Sequence, residues 1–408
     1  MSKPTVSRRD FLRAGAAAGV AATAIPALAG DEEPTEKKEE AVKLVPKRKL
    51  GKSGIEVSIL SQGTVAQPTA RHLNVMHTEG IRYIDTSVSY GGGNCERIIG
   101  EWFQKTGHRA EYFLATKDYP KAPGQWVEML DKRLEALKTD YIDLYFIHGL
   151  SDREFEGKSS SDWPKDKEWA AAADKIRKSG KAKLVGFSMH CSPIELRTKL
   201  LNNAVEGGWV DVVMPALNLS LIRENKSFNE ALDNCHKAGV GLIAMKSCKD
   251  VGAIEKVFPT FQQKGLSKFT AVLTAVWTDE RFASVCSAMD NLQKLRENAA
   301  AARAFVPLTD AELAEVHEMF RGIDRVYCAA CDGSCRRAAG TRADLNTIAR
   351  YVSYVEENGR LKDARELFAA LPPEARDWAG ADLAAASRAC RCGLNFPRIL
   401  AKAEQMLA

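Results

Sequence analysis

The amino-acid sequence predicts an α/β protein: a parallel (β/α)8 barrel, of the TIM type, with a helical, Cys-rich extension at its C-terminal end. Three observations lead there. Apolar runs recur near 57–64, 81–87, 112–117, 140–148, 183–189, 210–217, 239–246 and 284–289. Amphipathic helical stretches such as Trp126–Leu137 and Phe228–Ala238 lie between them. Strands alternating with helices in this way favour a closed parallel sheet over an open one. The third observation is chemical. The run from Ile81 ends at Asp85 and turns through Ser89, Tyr90 and Gly91–Gly93 before a helix restarts at Glu96. The next two runs end at Lys117 and His148. In a (β/α)8 barrel, chemistry is done at the C-terminal ends of the strands. Asp, Tyr, Lys and His gathered there are hard to explain as packing.

Taken in order, the chain begins with a targeting segment. Ser7–Arg8–Arg9–Asp10–Phe11–Leu12–Arg13 is a twin-arginine pattern, followed by an Ala-rich apolar run to Ala29 with an A-x-A cleavage site at Ala27–Ala29. The run is short for a membrane span, which needs about 20 apolar residues. The mature protein is therefore expected to lack a stable span, an uncleaved anchor being the alternative. Residues 1–29 are assigned to the signal and 30–46 to a linker, dense in charge from Asp31 to Lys43 and poor in apolar residues. Export machinery of the twin-arginine type is the expected partner, and the periplasm the expected location. The formal charge of +5 is small against 58 basic and 53 acidic residues, which gives no case for nucleic acid. Length also fits: 408 residues hold a barrel of about 250 plus extensions.

Residues 47–306 carry a sustained resemblance. Arg48–Lys49–Leu50–Gly51–Lys52–Ser53–Gly54 comes first, then Asp85–Thr86 with Tyr90–Gly91, Glu96 and Gly100. Ala115–Thr116–Lys117, Asp140–Tyr141–Ile142–Asp143–Leu144 with His148, Gly186 with Ser188, and Ile243–Ala244–Met245–Lys246 follow at matching spacing. In these pieces the chain resembles an aldo/keto reductase. The resemblance implies that Lys47–Val57 is a hairpin closing the barrel floor. It implies Tyr90 as general acid, Lys117 and Asp85 tuning it, and His148 positioning a carbonyl substrate. The chemistry is reasonable on its own terms. A free Tyr has a pKa near 10; an adjacent cation would lower it, and a carboxylate would hold that cation in place.

On the cofactor side the resemblance implies NADPH or NADH held by Ser188, Met189, Met245, Lys246, Asp290, Glu297 and Asn298. Here the sequence departs from the family pattern. Met189 stands where Asn is usual, and Met214 where Gln is common. Asp290 occupies the position of a phosphate-binding Arg. A carboxylate there would repel the 2′-phosphate of NADP and could accept hydrogen bonds from an unphosphorylated ribose. NADH, or loss of nicotinamide binding, are therefore both open. The substrate is expected to be a small carbonyl compound, and the Trp163- and Trp169-bearing loop 152–169 would suit a polar or sugar-like one.

Residues 307–408 form a second unit, opening with a cap-like Thr309–Asp310–Ala311–Glu312. Cys328, Cys331 and Cys335 recur in a C-x2-C-x3-C run, with Cys390 and Cys392 far downstream. Four thiolates are what one 4Fe-4S cluster needs. They also suit a structural zinc, and disulfides suit an oxidising compartment. The run resembles the ferredoxin-like tails found on one branch of aldo/keto reductases. That likeness favours Cys328, Cys331, Cys335 and Cys390 as ligands, with Cys392 in reserve. Cysteines 95, 191, 235, 248 and 286 are expected to be buried small apolar residues. The expected function is hydride transfer between a nicotinamide and an aldehyde or ketone. An iron–sulfur electron-transfer protein and a non-enzymatic ligand-binding barrel are the alternatives.

Overall fold

A computed structural model describes residues 42–155, 157–190, 194–217, 219, 225–320, 323, 328, 333–390 and 393–407. The signal segment, most of the linker, and Cys191, Cys331 and Cys392 lie outside the described residues. Strand β1 (Lys47–Lys49) pairs antiparallel with β2 (Glu56–Ser58), forming the hairpin. Leu50, at its turn, is fully buried and closes the barrel floor among Val57, Tyr83, Phe113 and Leu144. Arg48 fastens the hairpin by donating to the carbonyls of Phe282 (3.1 Å) and Trp277 (2.5 Å).

Eight strands then close the barrel: β3 (Leu60–Gly63), β4 (Tyr83–Asp85), β5 (Phe113–Asp118), β6 (Ile142–Ile147), β9 (Ala182–Met189), β10 (Val212–Pro215), β11 (Gly241–Met245) and β12 (Phe282–Ser287). They pair in parallel in that order, and β12 returns to β3. Every predicted strand is present. Between β6 and β9, a small hairpin of β7 (Glu154–Phe155) and β8 (Lys158–Ser159) stands apart from the barrel.

The strand period of two fixes what faces the lumen. Tyr83, Phe113, Ala115, Leu144 and Phe146 fill the interior, while Ile84, Leu114, Tyr145 and Ile147 pack outward in the main core shared with the helices. Extending that alternation upward turns Asp85, Lys117 and His148 inward at the top of three neighbouring strands. Gly186 is required by close approach, because a Cβ there would lie 1.8 Å from the Val212 carbonyl oxygen.

Past the barrel, helix Asp310–Met319 opens with a capping box: Thr309 Oγ1 accepts from the Glu312 N–H and Glu312 accepts from the Thr309 N–H. Beyond it lie helices Leu345–Asn358, Leu361–Ala369, Leu383–Ala389 and Phe396–Met406. They bury a core of their own, with Ile348, Val352, Phe396 and Leu400 at its centre. Among the described residues, no helix is long and apolar enough to cross a membrane.

Candidate active site

The barrel mouth is a cleft of about 1930 Å³, lined by Asp85, Tyr90, Lys117 and His148 among others. The loop after β4 reaches it through three consecutive left-handed residues, Gly91, Gly92 and Gly93 (φ 56°, 62° and 85°). Side chains other than Gly rarely accept that backbone, so the glycine run fixes how Tyr90 is presented. Lys117 is buried and hydrogen-bonds Asp85 and, at 2.8 Å, the Thr86 carbonyl. Tyr90 is half-buried, its ring centroid 5.5 Å from the Lys117 ammonium. His148 meets the Tyr90 ring edge-on at 5.8 Å between centroids.

One electrostatic expectation is corrected. The net effect on Tyr90 in this cleft is upward, because Lys117, paired with Asp85, does not offset burial. Burial pushes the Tyr90 hydroxyl well above its ordinary pKa, and Asp85 adds to that. Tyr90 is thus a firmly protonated donor. His148 moves the other way: burial, together with Lys117 and His190, holds its pKa well below the usual histidine value. It is neutral at physiological pH.

Sequence reading missed five residues around this set. Ser87 Oγ lies 2.8 Å from His148 Nδ1. Tyr119 stacks on the His148 ring at 4.5 Å between centroids. His190 lines the cleft beyond, 6.1 Å from His148 between ring centroids. Cys286, expected to be inert packing, lines the cleft beside Asp85, and Cys248 also reaches the cleft. Burial raises the Cys286 thiol above its ordinary pKa, which favours the protonated form. Strand parity was the available signal for His190: it is two residues beyond Ser188, on the same face.

The same parity corrects part of the expected cofactor set. Met189 points outward into the main core and is fully buried there. Ser188 is buried and accepts a 3.0 Å hydrogen bond from the Gly149 N–H, tying the end of β6 to β9. Neither lines the cleft, whereas Met214, Met245, Lys246, Asp290, Glu297 and Asn298 do. Lys246 is held at φ 62° and Asp250 at φ 65°, strained values for non-glycine residues on the cleft wall. Asp290 pairs with Lys294 at 2.9 Å, Glu297 accepts from Gln293 at 2.8 Å, and Asn298 donates to Ser287 at 3.2 Å. The carboxylate at 290 is therefore compensated, and Lys294 is engaged.

The Trp loop is also corrected. Trp163 and Trp169 stack at 4.0 Å and are buried in the main core. They do not line the cleft. Its far wall comes instead from the tail, through Arg350, Tyr354, Arg360 and Lys402.

Within the tail, Cys328 and Cys335 are buried in the helical core, and Cys390 packs against it. Cys390 Sγ accepts from the Leu394 N–H at 3.4 Å. Among the described residues, the set of three metal-capable side chains whose ligand atoms lie within 4.8 Å of one another is His77, His108 and Glu111, not the cysteines. Arg82 already supplies a cation there, 3.5 Å from Glu111. A tetrahedral zinc with four sulfurs near 2.3 Å would hold those sulfurs roughly 3.8 Å apart.

The aldo/keto reductase family model matches residues 58–265, and the chain belongs to the aldo/keto reductase family. It is 36% identical over 130 residues to the aldo-keto reductase yakc of Schizosaccharomyces pombe, whose name specifies NADP(+); the match covers 29% of this chain and 35% of that one. It is 35% identical over 111 residues to the methylglyoxal reductase YeaE of Escherichia coli, covering 27% and 34%. Thus the matched stretches span about a third of the length of these two relatives. L-galactose dehydrogenase of Arabidopsis thaliana is 25% identical over 214 residues, 48% of this chain and 63% of that one. Among solved structures, the holo form of an aldo-keto reductase from Bacillus halodurans superposes with a TM-score of 0.53 at 20% identity, covering 67% of this chain and 96% of that one. At that identity the likeness speaks for the fold.

Proposed function

We propose that this chain is an exported, nicotinamide-dependent reductase of aldehydes or ketones. The observation that carries the reading is the convergence of a protonated Tyr90, a buried Asp85–Lys117 pair and a neutral His148 on one cleft. The nicotinamide, when bound, supplies the hydride. Tyr90 supplies the proton to the carbonyl oxygen as negative charge develops there. Lys117, fixed by Asp85 and the Thr86 carbonyl, places a positive charge behind Tyr90 as its hydroxyl gives up that proton. Ser87 orients His148. Its shortest contact is Nδ1 at 2.8 Å, against 3.4 Å to the Lys117 carbonyl, and its proton is assigned to Nδ1 on that ground. The neutral ring then carries its proton on Nε2, toward the cleft, where it hydrogen-bonds the substrate carbonyl.

Met245, Lys246, Asp290, Glu297 and Asn298 form the wall on which the dinucleotide would lie. The segment from Ser287 to Asn298 offers a 2′-phosphate no uncommitted cation: Lys294 is paired with Asp290, and Arg296 faces Glu79 at 3.6 Å. This favours NADH. In the tail, the apolar burial of Cys328 and Cys335 and the N–H bond to Cys390 support one iron–sulfur cluster held with Cys331. Export rests on the twin-arginine pattern at Arg8–Arg9.

The test is turnover of an aldehyde panel with either nucleotide by the wild type, Tyr90→Phe and Lys117→Met. The variants are expected to lose about 100- to 10,000-fold in kcat with folding intact. Full activity in either would overturn the assignment. Iron and sulfide analysis of protein purified without oxygen tests the tail, and fractionation of cells carrying Arg8→Lys/Arg9→Lys tests export.

A further inference from the structure

The tail does more than follow the barrel. Helix Leu345–Asn358 forms part of the wall of the cleft that holds Tyr90, Lys117 and His148. Arg350 is close enough to act electrostatically on His190, and Tyr354 on Tyr119. His190 and Tyr119 flank His148, one beyond it and one stacked on it. The helix therefore spans the substrate side of the mouth.

Its cations are not equivalent. Lys402 is paired with Glu356, and Arg360 with Asp363 at 2.7 Å. Arg350 has no ion pair among the described residues. Its side chain makes a long bond, 3.4 Å to Thr347 Oγ1, and its Nε is buried with no hydrogen-bond partner among the described residues. A guanidinium left partly desolvated and unmatched carries a cost unless a ligand completes it. Within the cleft, the buried carboxylate of Asp85 is already matched by Lys117, and both histidines are neutral. On the cleft wall, Asp290, Glu356 and Asp363 are paired with Lys294, Lys402 and Arg360.

We propose that Arg350 is a specificity residue contributed by the tail, and that it selects carbonyl substrates bearing a carboxylate. The planar fork of Arg matches a carboxylate in two parallel hydrogen bonds, whereas a neutral substrate leaves it unsatisfied. The inference rests on the reductase reading for its substrate class, so its test includes a readout that does not need turnover.

Two matched probes serve: 4-carboxybenzaldehyde and benzaldehyde. Their kcat/KM ratio with NADH is compared in the full-length wild type, Arg350→Met and Arg350→Lys, and their binding is followed by tryptophan fluorescence. The wild type is expected to prefer the carboxylate. Arg350→Met lowers that preference about 10- to 100-fold, mainly through KM, and Arg350→Lys restores part of it. Equal losses on both probes would overturn the proposal, as would a wild type that binds the two alike. If neither aldehyde is turned over, the reductase reading fails. The binding preference and its dependence on Arg350 then still decide this inference.

Discussion

Tyr90 and Asp290 are the residues on which chemistry and cofactor choice turn. Tyr90 keeps its proton because burial and the neighbouring Asp85 disfavour a phenolate. It therefore suits the reducing direction, in which a proton must be delivered. Replacing Ser87 with Ala removes the partner of His148 Nδ1 and frees the ring to take the other tautomer. The expected result is a kcat about tenfold lower, with the nucleotide Kd little changed. Steady-state kinetics alongside nucleotide titration check it; an unaltered kcat would remove Ser87 from the account. At 290 the side chain is partly exposed and paired with Lys294. Asp290→Arg is expected to improve the NADPH-to-NADH affinity ratio roughly tenfold, since a repelling charge becomes an attracting one. A ratio that does not move would show that the 2′-hydroxyl lies elsewhere.

At the scale of elements, strand alternation explains most of what was legible and most of what was not. Asp85, Lys117 and His148 were readable because each ends an apolar run, and parity turns all three inward. Met189 was placed in the cofactor set because it stands where the family usually has Asn; one residue after Ser188, it points outward. The buried histidines give these elements a pH signature. Because His190 has a folded pKa well below its ordinary value, the unfolded chain takes up its proton first as pH falls. Stability from this group is present above about pH 6.5 and is lost on acidification. Glu96 works oppositely. Burial raises its carboxyl to about 7, so its contribution falls as pH rises from about 4.5 toward that value. The difference between wild type and His190→Gln separates the two. The wild type's Tm should fall relative to the variant's between about pH 7.5 and 5.5; parallel curves would contradict a neutral His190. In the tail, the capping box at Thr309 stabilises helix Asp310–Met319. Thr309→Ala should cost about 1 kcal/mol in denaturant unfolding.

For the whole molecule, the eight-stranded barrel and the helical tail could be read from apolar runs and helical periodicity, and the floor hairpin from the family resemblance. The relation of the tail to the mouth could not. That Arg350 and Tyr354 face the cleft depends on how two separately cored units pack, which no local pattern encodes. The buried Trp163–Trp169 stack shows the converse: aromatic residues in a loop suggested a binding surface, and tertiary packing claimed them for the core. The central claim is that this mouth still holds a nicotinamide despite Met214 and Asp290. It is tested most directly by titrating the mature protein, purified without oxygen, with NADH and then NADPH while following tryptophan fluorescence. The account predicts saturable binding with a micromolar Kd and NADH the tighter of the two. No binding of either nucleotide at millimolar concentration would contradict it.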